Sequence, residues 1–167
     1  MSAQSYLRRT KPMEIKPISI EQQEQLSKIA TSQDWTPCQV TLSSGVTLDN
    51  VYLANHDEYL RSWGRINKEM LVPIEEVISI EESPNALPVS LSKKLYDAGE
   101  SGMGYCVFKI VYDTGATFDV VTGNAVDFVP SPEGLTIRNI VDVLPHEGSR
   151  QAYLNGLDYK WCLFKGL

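Results

Sequence analysis

Alternation of apolar and polar positions is clearest in two stretches of the chain. Val40-Thr41-Leu42-Ser43-Ser44-Gly45-Val46-Thr47-Leu48 and Ile110-Val111-Tyr112-Asp113-Thr114-Gly115-Ala116-Thr117-Phe118 each carry apolar side chains at alternate places, break at a glycine, and resume with β-formers. Period two marks a half-buried strand, and glycine between two such runs supplies the positive φ of a tight hairpin. The stretches lie at an offset of 70 residues, which sets Val40 against Ile110, Leu42 against Tyr112, Gly45 against Gly115, Thr47 against Thr117 and Val51 against Val121. A second pair follows at an offset of 63, matching Ile74 with Ile137, Val77 with Ile140 and Ile80 with Val143. The spacing of three at its start predicts a helical turn or bulge that feeds a strand.

Two helices interrupt this β pattern. Ser19-Ile20-Glu21-Gln22 is a capping-box sequence, and with Pro17 upstream it predicts a helix over 19–34 whose Ile20, Leu26, Ile29 and Ala30 form an incomplete apolar stripe. Leu91, Leu95 and Ala98 share one face of a second helix over 89–99, which Gly99 ends. The chain therefore reads as mainly β with minor α, organised as a β unit over 35–88 and another over 100–147, joined by the second helix. Short strands so regularly punctuated favour a barrel or a sandwich over an open sheet, because closure removes exposed edges, and the pattern resembles small SH3-like or Sm-like barrels placed in tandem. That resemblance rests on pattern and implies no activity. The segment 148–167 is rich in aromatic residues (Tyr153, Tyr159, Trp161, Phe164), with Asn155-Gly156 as a turn and Tyr159–Phe164 as a last strand, and is expected to dock on the body.

Charge changes the picture of what the chain binds. Fifteen Lys and Arg against 21 Asp and Glu leave a net charge of −6 over 167 residues. A protein that grips phosphate backbones needs the opposite balance, so nucleic acid is disfavoured as a partner. The exception is 1–18, where Arg8, Arg9, Lys11 and Lys16 oppose Glu14; it is expected to be a flexible basic arm. No apolar run is long enough to span a bilayer, and Met1–Thr10 lacks the core of a secretory signal. These features predict a cytoplasmic protein with no membrane partner.

Candidate chemistry is sparse. Cys38, Cys106 and Cys162 are odd in number and form no C-x-x-C pair, which argues for buried packing over a zinc ribbon or disulfide framework. His56 and His146 share no ligand spacing and read as loop residues. Asp113, Asp119 and Asp127 lack the spacing of a calcium loop. The densest glycine stretch, Gly99-Glu100-Ser101-Gly102-Met103-Gly104, can form an anion-binding nest, which makes Gly99, Glu100, Ser101, Gly102 and Gly104 candidates for binding a small ligand or nucleotide. It fits neither the dinucleotide nor the Walker pattern, and G-x-S-x-G fails at Met103. Read as a strand, 58–66 would line up Tyr59, Arg61, Trp63 and Arg65 on one face, suited to a protein interface or to single-stranded nucleic acid. No catalytic constellation, metal site or cofactor motif stands out. The expectation is a non-catalytic interaction module that binds another protein or itself.

Overall fold

Both glycine-centred stretches are hairpins in the computed structural model, which describes residues 14–148, 151 and 154–166. In the first, β1 (Trp35–Leu42) runs antiparallel to β2 (Thr47–Asn55); in the second, β4 (Cys106–Tyr112) runs antiparallel to β5 (Thr117–Thr122). The turns close identically. Leu42 N–H donates to the Val46 carbonyl and Gly45 N–H to that of Leu42, while Tyr112, Ala116 and Gly115 repeat both bonds. Gly45 and Gly115 sit at φ 90° and 86°, a region where a Cβ is strained.

Each hairpin takes a third antiparallel strand beside its first one: β3 (Val77–Glu81) beside β1, β6 (Ile140–Pro145) beside β4. Each third strand is entered through a 3-10 turn, Ile74–Glu76 or Ile137–Asn139. Ser43 N–H reaches the Glu76 carbonyl and Asp113 N–H the Asn139 carbonyl, so the tie between turn and third strand also recurs. Both third strands carry a bulge at the same place, and it turns Ile78 and Val141 outward, 58% and 57% exposed.

The C-terminal segment belongs to both sheets. As β7 (Leu154–Asn155) it lies parallel to β5, then crosses to become β8 (Lys160–Phe164), parallel to β2. The result is two four-stranded sheets ordered β3-β1-β2-β8 and β6-β4-β5-β7. No closed barrel is found among the described residues. An isolated bridge from Leu71 to Trp161 spans part of the gap beside β8, but no continuous ladder joins that edge to β3.

Helices α1 (Ile20–Ser27) and α3 (Val89–Ala98) pack against β3 and β6 respectively. The Ser19–Gln22 capping box forms with both bonds at 3.0 Å. The helix ends at Ser27, short of the predicted 34, but Ile29 beyond it still packs on the first core with Leu26. Both helices also blunt an edge. Gln25 Oε1 accepts the Ile80 N–H at 2.9 Å, and Gln22 Nε2 donates to the Ile74 and Val77 carbonyls. On β6, Asp142 Oδ1 accepts its neighbour Val143 N–H and pairs with Lys94 of α3 at 2.9 Å. Edge groups satisfied in this way are poor templates for another strand.

Two differences from the sequence reading concern register and the N-terminus. A register shift between Cys38 and Val40 sets Val40 opposite Leu48 but Cys38 opposite Val51. The second hairpin has no such shift, with Ile110 opposite Phe118 and Phe108 opposite Val120. The counterpart of Val51 is therefore Val120, not Val121, and that of Tyr52 is Val121. Of the basic arm, residues 1–13 lie outside the described residues. Residues 16–18 are pinned: Ile18 is buried, its N–H donates to the Lys165 carbonyl, and Lys165 N–H donates to that of Lys16.

Candidate functional site

The segment expected to be a strand with one mixed face is instead helix α2 (His56–Trp63) and its cap. Asn55 caps it by accepting from the amides of Asp57 and Glu58, whose carboxylates favour the N-terminus, and Gly64 at φ 73° closes it. Tyr59 and Trp63 stand at i and i+4 and turn inward together, whereas Arg61 and Arg65 are exposed. The four do not share a face. Tyr59 is buried, its hydroxyl donates to the Arg65 carbonyl at 2.7 Å, and its ring lies 4.9 Å from that of Trp161. Trp63 lies 5.3 Å from both Trp35 and Trp161.

In the glycine loop, Ser101 and Gly102 N–H both donate to the Tyr105 carbonyl, and Gly104 N–H donates to Glu100 Oε2 at 3.0 Å. Those three amides are consumed by the loop itself, which removes most of what an anion nest would offer, and Gly99 serves as the cap of α3. The fold does join two residues that no spacing links. Ser101 Oγ lies 2.7 Å from His146 Nδ1, and His146 Nε2 lies 3.1 Å from the Ala98 carbonyl. A carbonyl only accepts, so Nε2 carries a proton and donates to Ala98, which fixes the ring with Nδ1 facing the Ser101 hydroxyl. The serine oxygen also accepts the Val107 N–H at 2.9 Å, so the pair ties α3, the loop and the end of β6 together. The three cysteines are free and buried, and burial pushes their thiols up, that of Cys162 to about 12. Asp119 pairs with Lys109 at 2.7 Å and Asp113 accepts from Asn139, away from Asp127. Among the described residues no group of three or more His, Cys, Asp or Glu is placed to hold a metal ion. No helix among them is long and apolar enough to cross a membrane.

The two sheets meet across an aromatic core that sequence spacing did not reveal. Trp35, Trp63 and Trp161 gather there with Tyr52, Tyr59, Tyr159 and Phe128. Within it lies Asp127, 4% exposed. The hydroxyl of Tyr52 donates to its Oδ2 at 3.0 Å and that of Tyr96 at 2.5 Å. Asp127 N–H returns a bond to the Tyr52 oxygen, while Trp35 Nε1 and Val126 N–H donate to that of Tyr96. Burial pushes the Asp127 carboxyl up and the tyrosine donors pull it back, whereas burial and the neighbouring carboxylate drive both tyrosines well above their ordinary value. The network couples β1 and β2 of one half to α3 and the segment after β5 of the other. One charged residue inside Ala125-Val126-Asp127-Phe128-Val129 was its visible signal, since an acid buried in an apolar run needs donors.

Beside this core opens a cleft of about 1020 Å³. Its walls are Thr47–Asn50 of β2, Met70, the end of β5 with Gly123, Ala125 and Phe128, and the crossing segment from Asn155 to Lys160. The floor has a covered counterpart in the first half. Tyr52 pairs with Trp161 there, and that face is buried under Tyr59 and Trp63 of α2. The corresponding pair in the second half is Val121 with Asn155, and both line the open cleft. Among the described residues no second α2 covers them. After β5 the chain reads Gly123-Asn124-Ala125-Val126-Asp127-Phe128-Val129-Pro130, β-branched and proline-ended where α2 has a cap and an acidic first turn.

Comparison with protein-family models, with curated proteins and with solved structures finds no match to this chain.

Proposed function

We propose that this chain is a non-catalytic binding module, built from two copies of one helix-plus-three-strand unit, that receives another protein in the cleft between its sheets. Each unit reads as an opened small barrel, and the repeated turn, bulge and 3-10 bonds support descent from a duplication. One observation carries the binding reading. The face that the first unit buries beneath α2 is, among the described residues, left open in the second, at the floor of a large cleft. Open concave surfaces between structural units are preferred binding positions. The negative charge of the chain favours a protein partner over nucleic acid.

The test is affinity capture from the native lysate, with and without nuclease, using the full chain, Val121→Arg at the floor and Glu81→Arg on the remote edge. The reading expects a discrete nuclease-resistant protein held by the wild type and by Glu81→Arg and lost from Val121→Arg. Retention by Val121→Arg, loss on nuclease treatment, or capture of nothing by the wild type would each overturn it.

A further inference from the structure

The kind of partner follows from what the cleft offers and what the sheet edges refuse. An extended peptide would need a free strand edge. The edge of β3 is capped by Gln22 and Gln25, that of β6 by Asp142, and β7, the outer strand beyond β5, is two residues long, too short an edge to template another strand. Beside β8, Leu71 and Pro17 form bridges. A partner is therefore directed to a face. The first half shows what suits that face, since α2 lays a tyrosine and a tryptophan, one turn apart, onto Trp161. A helix with its side chains is about 10–12 Å across and rises about 1.5 Å per residue, so two turns make a cylinder about 11 Å long, the scale of an occupant for an open cleft.

Charge gives the polar face of such a helix. Asp49 and Asp158 are exposed at the rim. The one lysine of the lining, Lys160, directs its ammonium to the Glu69 carbonyl at 3.2 Å. The rim is therefore net acidic. The floor is apolar at Val121, Leu157 and Met70 and continues directly into the aromatic core through Phe128 and Ala125.

Resting on the cleft as the binding surface, we infer that its occupant is a basic amphipathic helix of another protein, with an aromatic or large aliphatic residue on Val121 and Leu157 and Lys or Arg beside Asp49 and Asp158. The helix takes, in the second unit, the place that α2 holds in the first. Helix-in-groove recognition of this kind is read through anchors at i, i+3 or i+4, and i+7.

Two displayed peptide libraries of equal composition test this against the full chain. One presents apolar and aromatic anchors at helical spacing with Lys and Arg on the outer face. The other alternates them and holds a central proline. The inference expects binders from the helical library alone, weakened at least tenfold by Val121→Arg and by Asp158→Lys and unchanged by Glu81→Lys. Tryptophan fluorescence and a urea midpoint establish that each variant is folded. Binders from the extended library that Val121→Arg abolishes would overturn the helix and leave the cleft standing. Binders indifferent to Val121→Arg, or none from either library, would overturn both.

Discussion

Replacing Tyr52 with Phe removes one oxygen from the centre of the molecule and little else. The ring is fully buried and packs 4.7 Å from Phe128 and 4.9 Å from Trp161, contacts that Phe retains. Two hydrogen bonds go. Asp127 loses a donor to its carboxylate, and a bond to a charged group contributes about 1.5–3 kcal/mol. The Asp127 amide loses its acceptor, and a buried unsatisfied amide costs about 1–3 kcal/mol. The two are coupled through one residue, so the total is expected at about 2–5 kcal/mol near neutral pH rather than as a strict sum. Its pH dependence is diagnostic. Burial already raises the Asp127 carboxyl, and losing a donor to the ionised form raises it further. A group raised on folding contributes stability that is complete below its unfolded value and is lost as pH rises through its folded value. Wild type therefore gains a contribution from Asp127 as pH falls from neutral toward the ordinary carboxylate range, and Tyr52→Phe gains more, so the gap between them narrows in acid. Urea titrations followed by tryptophan fluorescence report it directly, since all three tryptophans lie in the adjoining cluster. A difference below about 0.5 kcal/mol at neutral pH, the level of an ordinary surface substitution, would refute the network's role in joining the halves. So would a difference that stays constant down to pH 4.

Two further substitutions probe other joints. A Cβ on Gly156 would lie 2.8 Å from Thr122 Cγ2 and 3.4 Å from the Phe128 carbonyl, so Gly156→Ala is expected to cost about 1–3 kcal/mol by overpacking, measured as a lowered melting temperature. Gln25→Ala leaves the Ile80 N–H without its acceptor on an edge strand; it is expected to cost about 1 kcal/mol and to shift elution in size-exclusion chromatography with light scattering toward larger species than wild type.

The hairpins and the capping box were legible because their information is local. A glycine where positive φ is required and an alternating run on either side specify a hairpin within nine residues, and Ser19 with Gln22 specifies a helix start within four. Short, regularly punctuated strands led to the expectation of small tandem barrels, but closure depends on how remote edges meet; no closed barrel is found among the described residues, and a crossing C-terminal strand and side-chain caps lie at those edges. Helix α2 was missed where two periods coincide: Tyr59 and Trp63 satisfy a strand's alternation and a helix's i, i+4 spacing equally. Asn55 before Asp57 and Glu58, with Gly64 at the end, was the local signal that separates them. The offset of 70 misplaced Val51 because one additional residue in the first hairpin is invisible until the register is known. Asp127 inside an apolar run signals a buried acid that needs donors, but the identity of those donors, and the cleft, lay beyond sequence reasoning. Tyr52 is 75 positions from Asp127, and Ser101 is 45 from His146, so only the fold brings them together.

The most direct test of the cleft as the working surface is site-specific photo-cross-linking in the cells that make this protein. A benzophenone side chain is placed at Asn155 on the floor and, separately, at Glu81 on the far edge. The account predicts one discrete protein adduct from Asn155, absent from Glu81 and abolished by Val121→Arg, with the cross-linked residue mapping to a basic helical segment of the partner. Equal adducts from both positions, or an adduct from Glu81 alone, would contradict it.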